Sequence, residues 1–184
     1  MPIIKASNLN SFFFNELVAI NKIAKCPLPQ EFLFYSSKLL ETYSLSEKLY
    51  RVTDDGVREK ILGQMLLSAN EKPKEERIRI LKEVGDISLV ISGYFAKSLN
   101  SKIVDRNYYK DIGKIAYSRV DGLDFNCMNI PNFFKALETC FDILSSHLNC
   151  LASIDKSDSQ KQFLLNNIFE EDKKLYVEEA KLAC

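Results

Sequence analysis

The residues best suited to chemistry in this 184-residue chain are a carboxylate and several tyrosines near its centre. Asp86 lies at the start of a strongly apolar segment, where a buried carboxylate needs hydrogen-bond partners. If its pKa were raised, it could act as an acid or a base, and nearby phenols could hold a small ligand. This interpretation predicts a polar ligand-binding or enzymatic pocket formed by Asp86, Tyr94, Tyr108, Tyr109 and Tyr117.

A structural interpretation of the same residues competes with the pocket. In it, Asp86 accepts a hydrogen bond from one tyrosine hydroxyl or from a helix end, and so fixes the register of packed helices. No nucleophile accompanies the tyrosines, and tyrosine hydroxyls are good partners for a buried carboxylate. We therefore favour the structural interpretation and keep the pocket as the alternative.

Glycines in the same region also have two interpretations. Gly85 and Gly93 lie inside an apolar helical pattern, where each costs about 1 kcal/mol relative to alanine. Such glycines most often allow a second helix to approach closely. Gly113 could be the glycine on that second helix. Approach of a ligand is the less favoured alternative.

Metal and covalent chemistry find little support in the sequence. His147 is the only histidine, and Leu144 occupies the position where a di-iron Glu-x-x-His motif needs a glutamate. The five cysteines form no CxxC pair, which disfavours zinc and indicates reduced thiols. No phosphate-binding glycine loop or GxSxG motif occurs. We predict no catalytic residue, no metal and no cofactor.

Charge and hydropathy limit the classes of partner. Lys plus Arg and Asp plus Glu number 25 each, so no net field favours nucleic acid or an anionic membrane. No stretch reaches the roughly 18 apolar residues of a membrane span, and the N-terminal residues do not resemble a signal peptide. We predict a cytoplasmic protein that binds neither nucleic acid nor membrane.

Three consecutive phenylalanines suggest a surface for a protein partner. Phe12, Phe13 and Phe14 cannot all face one core, because consecutive helical residues are about 100° apart. At least one should stay partly exposed and could bind another protein or a second copy. Packing beneath the following loop is an equally ordinary outcome.

The periodicity predicts an all-α protein. Apolar residues recur at intervals of three and four, and only six glycines and five prolines interrupt them. We predict a single helical domain over residues 1–184, built as an irregular bundle of about six to eight helices.

Local signals predict where most helices begin and end. The first should span about residues 9–25, and others should follow Pro29 and Pro73. The second half of the helix after Pro73 is apolar nearly all round and should be the buried central element. Asp105 should cap the next helix, which Gly122 ends. Pro131 should lie in the first turn of a helix that continues to residue 151, and a last helix should begin near residue 157 or 159.

The segment between the second helix and Pro73 is also predicted to be helical. Ser44 and Glu47 have capping-box spacing, which predicts a short helix to about Arg51. Residues 53–56 should form a turn, followed by a helix that carries Val57, Ile61, Met65 and Leu66 and ends at residues 70–73.

The central block resembles a family of uncharacterised bacterial proteins, found chiefly in proteobacteria, with the pattern EVGDxSLxxSGxFxxSLxxxxVDxxYYxxxGxxAY. The resemblance spans residues 83–117 and is much looser elsewhere. It implies a helical cytoplasmic protein, with no established activity, cofactor or catalytic residue. The matching residues are Glu83, Val84, Gly85, Asp86, Ser88, Leu89, Ser92, Gly93, Phe95, Ser98, Leu99, Val104, Asp105, Tyr108, Tyr109, Gly113, Ala116 and Tyr117.

Taken together, these features predict a non-enzymatic cytosolic protein that works by binding another protein, as an adaptor or regulator, or by forming a homo-oligomer. The alternative is a small-ligand-binding protein or enzyme that uses Asp86 and the tyrosines of the central block.

Overall fold

The structure is a computed structural model that describes residues 9–44, 49–53, 56–101, 104–123, 127 and 130–153. These residues form seven α-helices and one short β-hairpin, which confirms the predicted all-α bundle. The helices are α1 Leu9–Ile23, α2 Gln30–Tyr43, α3 Leu62–Ser68, α4 Lys74–Gly93, α5 Arg106–Asp121, α6 Phe133–Thr139 and α7 Phe141–Leu151. Short 3₁₀ helices, Ala69–Glu71 and Ala96–Ser101, follow α3 and α4.

Helix α4 is the central element, as predicted. Every residue from Val84 to Val90 is buried. The helix packs most extensively against α5, and also against α7, α3 and α2. A helix surrounded in this way needs apolar residues on all sides, which is the pattern of its second half.

The predicted helix boundaries are largely confirmed. Pro29 and Pro73 immediately precede α2 and α4. Asp105 caps α5, because its Oδ1 accepts a hydrogen bond of 2.9 Å from the backbone N–H of Tyr108. Gly122 follows the last residue of α5.

The helix predicted over residues 131–151 is divided in two. Pro131 lies before the helix, because Asn132 adopts a left-handed conformation (φ 53°) at the start of α6. The chain then leaves helical geometry at Cys140, where φ is −92° and ψ is 9°, and α7 begins. Helical spacing of apolar residues continues across this break, so the pattern alone did not reveal it.

The predictions for residues 44–61 were partly wrong. Strand β1 (Tyr50–Thr53) pairs antiparallel with β2 (Gly56–Glu59), and Thr53 lies opposite Gly56. Paired strands therefore lie on both sides of the predicted turn, whose residues 54 and 55 are outside the described ranges, and the next helix begins only at Leu62. An Asp-Asp-Gly turn suits a hairpin as well as a helix start, and the valines and threonine beside it favour strands. Glu47 lies outside the described residues.

The helix predicted from near residue 157 or 159 also lies outside the described residues. Within the described ranges, no helix combines the length and the apolar character needed to cross a membrane.

The interior glycines are sites of close packing, as the favoured interpretation predicted. A Cβ atom on Gly113 would lie 2.5 Å from Cε2 of Phe141, and one on Gly93 would lie 2.7 Å from Cβ of Leu148. Gly85 lies against the ring of Tyr117. Gly93 therefore contacts α7 rather than Gly113 of α5, so the predicted match between these two glycines is not formed.

Candidate functional site

The buried polar centre of the molecule is the carboxylate of Asp86, which is 3% exposed. Its Oδ1 accepts hydrogen bonds from the hydroxyls of Tyr35 (2.5 Å) and Tyr117 (2.8 Å). Its Oδ2 accepts a hydrogen bond from Nζ of Lys82 at 2.5 Å. All three partners can donate to it, which is what a buried carboxylate anion requires.

Three helices bring these four residues together. Helix α2 supplies Tyr35, and α5 supplies Tyr117. Lys82 lies one helical turn before Asp86 on α4, where an i, i+4 pair shares a face. Nζ of Lys82 also lies 5.2 Å from the centre of the Tyr35 ring, a cation–π distance. We call Tyr35, Lys82, Asp86 and Tyr117 the Asp86 network.

Burial and charge keep the phenols of the network protonated. Desolvation raises the pKa of Tyr35 and Tyr117 well above the ordinary value, and the negative charge of Asp86 raises both further. The same causes, with a contribution from Glu83, raise the pKa of Tyr43. These hydroxyls therefore remain hydrogen-bond donors across the physiological pH range.

Aromatic rings enclose the network. The ring centre of Tyr35 lies 5.2 Å from that of Phe133, in an edge-to-face arrangement. Tyr117 lies 5.5 Å from Phe134 and 5.9 Å from Phe141. These phenylalanines come from α6 and α7 and, like Tyr117, are at most 1% exposed. The low polarity around Asp86 strengthens its hydrogen bonds and also makes any loss of a partner expensive.

The structure brings together only part of the predicted ligand-binding set. Asp86 and Tyr117 are in direct contact, as both interpretations required. Tyr109 lies eight residues before Tyr117 on α5, about 12 Å along the axis, and its ring packs on that of Tyr108. Tyr108 reaches α3 instead, where its hydroxyl lies 2.9 Å from a Cβ placed on Gly63. Tyr94 follows α4 and packs edge-on against Phe13.

Two members of the network were missed in the sequence. Tyr35 was assigned only to the apolar stripe of α2, and its distance of 51 residues from Asp86 leaves no local signal. Lys82 does leave one, since a basic residue four positions before a buried acid on a helix is a natural ion-pair partner.

Neither of two cavities found among the described residues is lined by Asp86. One, of about 510 Å³, lies where α4 is followed by the start of α5, and is lined mainly by polar side chains. The other, of about 240 Å³, lies between α1, α2 and α4 and is lined by Phe13, Leu40, Tyr43, Ser44, Val90, Tyr94 and Phe95. The Asp86 network closes on its own partners, so its geometry supports helix packing rather than acid–base chemistry on a ligand.

The phenylalanines predicted as a partner surface are mostly turned inward. Phe13 is 7% exposed, and Phe12 and Phe14 are partly buried against the core. Phe12 packs on Phe13, and Phe14 packs edge-on against Phe34. At least two of the rings keep some exposed surface, as expected, but their binding of a partner stays a prediction.

His147 and the cysteines do not form a reactive site in the described part of the chain. His147 is buried; its Nδ1 lies 2.8 Å from the carbonyl oxygen of Ile143, and its Nε2 lies 3.2 Å from Oδ1 of Asn21. Burial raises the pKa of the thiols of Cys127 and Cys140, which makes them poorer nucleophiles. No group of three histidine, cysteine or acidic residues could hold a metal ion there.

Three of the large apolar side chains that are exposed in the described part of the chain lie on α3 and α5. Gly63 of α3 packs against Tyr108 and Ile112 of α5, and Leu67 lies one turn after Gly63 on the same side of α3. Ile115 lies two turns after Tyr108 on the same side of α5. Leu67, Tyr108 and Ile115 are 69%, 39% and 43% exposed. We call these three residues the α3–α5 face.

Comparison with protein family models, curated proteins and solved structures finds no match for this chain. The family resemblance of residues 83–117 therefore stays a prediction.

Proposed function

We propose that this chain is a non-enzymatic cytosolic protein that acts by binding another protein through the α3–α5 face. The observation that carries the proposal is the exposure of Leu67, Tyr108 and Ile115 on α3 and α5, two helices that contact each other. Several large apolar side chains exposed on neighbouring helices favour an interaction surface, whereas single exposed ones are ordinary.

The Asp86 network supports this proposal over the ligand-binding alternative. Its carboxylate is occupied by three donors, and aromatic rings surround it. A general acid or base must reach its substrate within hydrogen-bond distance, directly or through one water. The network instead holds α2, α4 and α5 in one arrangement, and α5 carries two of the three residues of the α3–α5 face.

Site-specific photo-crosslinking tests the proposal. A benzophenone amino acid is placed at position 67 or 115, and the protein is irradiated in the cells that produce it naturally. Ile23 is the matched control, because it is also a large apolar residue, is 46% exposed and lies at the end of α1. We expect adducts of defined mass from positions 67 and 115, and none of the same mass from position 23. If positions 67 and 115 yield no discrete adduct, or the same adducts as position 23, the α3–α5 face is not a binding surface.

A further inference from the structure

We propose that the partner of the α3–α5 face is a second copy of this chain, bound through antiparallel packing of α5 on α5 about Ile115. This inference rests on the proposed function, since it identifies the partner of the same surface. A two-fold symmetric contact is self-complementary, so the pattern of residues on one copy must match its own reverse. Helix α5 has such a pattern.

The exposed ridge of α5 reads acid, apolar, base at four-residue intervals. Asp111, Ile115 and Arg119 are all exposed, and each charged residue lies about 6 Å from Ile115 along the helix axis. Rows of residues four apart form the ridges that interlock when two helices pack. If two such ridges run antiparallel with Ile115 at the centre, Asp111 of each copy lies beside Arg119 of the other.

Both charged residues are available for this pairing. Among the described residues, Asp111 has no ion-pair or hydrogen-bond partner for its side chain. Arg119 makes one long hydrogen bond, of 3.5 Å from Nη1 to the carbonyl oxygen of Leu66, and its guanidinium has further donors. Asp111 and Arg119 of one copy are eight residues apart, about 12 Å along the helix, which is too far for them to pair with each other directly.

Net charge and apolar area also suit self-association. The chain has equal numbers of acidic and basic residues, so two copies do not repel one another through net charge. Ile115 would pack on Ile115 of the second copy, with Leu67 and Tyr108 beside them. One helix pair buries less than the roughly 800 Å² per partner of a standard stable interface, so we expect a dissociation constant in the micromolar range or weaker.

Sedimentation equilibrium of the purified full chain, from about 1 to 500 μM, tests the inference by charge reversal. We expect a monomer–dimer equilibrium that is weakened at least about tenfold by Asp111→Arg or by Arg119→Asp, because each change places like charges opposite one another twice per dimer. The double variant should dimerise again. An equimolar mixture of the two single variants should form a mixed dimer, since each supplies the charge that the other needs.

The matched control is the pair Glu75→Arg and Arg79→Asp, which makes the same changes in net charge on the exposed start of α4. Each of these variants should dimerise with nearly the dissociation constant of the wild type. An equimolar mixture of the two should dimerise no more tightly than either variant alone. The inference is overturned if the chain stays monomeric at every concentration, or if the changes at Asp111 and Arg119 leave the dissociation constant of the dimer unchanged. The proposed function would then survive only if crosslinking at positions 67 and 115 identifies a different protein.

Discussion

Tyr117 packs directly against the backbone of α4 at Gly85: a Cβ atom added to Gly85 would lie 2.5 Å from Cδ1 of the tyrosine ring. Tyr117 is fully buried, and its hydroxyl is bonded to Asp86, the next residue of α4. The missing side chain of Gly85 thus allows α5 to approach α4 closely enough for that hydrogen bond. Packing and polar pairing at this crossing depend on each other.

The first prediction concerns this contact. Gly85→Ala should lower the free energy of unfolding by about 2 kcal/mol, because overpacking a rigid core site costs more than the helix gains from alanine. Urea denaturation measures the loss. The control is Gly63→Ala, where the added Cβ would crowd the hydroxyl of Tyr108, the outer end of a partly exposed side chain, and would meet Cδ1 of Ile112 at an ordinary 3.8 Å. That variant should be neutral or slightly more stable; equal losses at both positions would contradict the role given to Tyr117.

The second prediction concerns the charge of Asp86. Asp86→Asn keeps an oxygen for the two tyrosine hydroxyls but places a neutral amide beside the Lys82 ammonium, and should cost about 2–3 kcal/mol of stability. Asp142→Asn is the comparison, because Asp142 pairs with Lys110 and Lys114 in a more exposed setting, and should cost about 1 kcal/mol. A reversed order would count against the network as the main polar support of the bundle. A compound that raises the Tm of wild type but not of Asp86→Asn would instead support a pocket.

The third prediction concerns alkaline pH. Burial raises the pKa of Tyr35, Tyr117 and Tyr43 in the folded state, so the folded protein holds these protons more tightly than the unfolded chain. The contribution of these tyrosines to the free energy of unfolding should be fully present below about pH 10, the ordinary tyrosine pKa. It should be lost as the pH rises above that value. Phenolate absorbance at 295 nm should show these three phenols ionising only together with loss of the helical circular dichroism signal. Ionisation of all eight tyrosines in a folded protein would contradict the prediction.

The fourth prediction concerns mildly acidic pH. Burial lowers the pKa of His147, and the hydrogen bond to Ile143 opposes this only in part, so the unfolded chain binds the proton more readily. The contribution of neutral His147 to the free energy of unfolding should be fully present above about pH 6.5 and should be lost as the pH falls below that value. Because His147 is the only histidine, His147→Gln removes every imidazole from the chain. Between about pH 5 and 7, the Tm of this variant should change less with pH than the Tm of the wild type. If the slope of Tm against pH is the same in both proteins, the prediction is wrong.

The fifth prediction concerns an unpaired buried hydroxyl. Oγ of Ser88 has no hydrogen-bond partner among the described residues, although the side chain is fully buried. Ser88→Ala should raise the free energy of unfolding by about 1 kcal/mol, because it removes an unsatisfied polar group and favours the helix. Ser145→Ala should lower it, since Ser145 Oγ accepts a hydrogen bond from Arg106 and lies 3.4 Å from Ser92 Oγ. Thermal melts of the two variants should therefore shift in opposite directions.

Features that depend on residues close together in the sequence could be predicted, whereas features that depend on distant residues could not. The cap of α5 could be predicted because Asp105 bonds a backbone group only three residues away. Asp86 could be singled out because a carboxylate in an apolar run needs a partner, but the choice among tyrosines could not be made. The hairpin at residues 50–59 was missed, because its turn sequence fits both a helix start and a strand pair, and the pairing itself forms between residues that the helical pattern does not relate.

By itself the sequence determined a bundle of helices with a buried central helix, since apolar periodicity, prolines and caps act over three or four residues. Only the tertiary structure decided that Asp86 pairs with Tyr35 and Tyr117, and that Leu67, Tyr108 and Ile115 are exposed. Tyr35 lies 51 residues before Asp86 and Tyr117 lies 31 after it, so the crossing of three helices, and no local rule, sets which hydroxyl reaches the carboxylate.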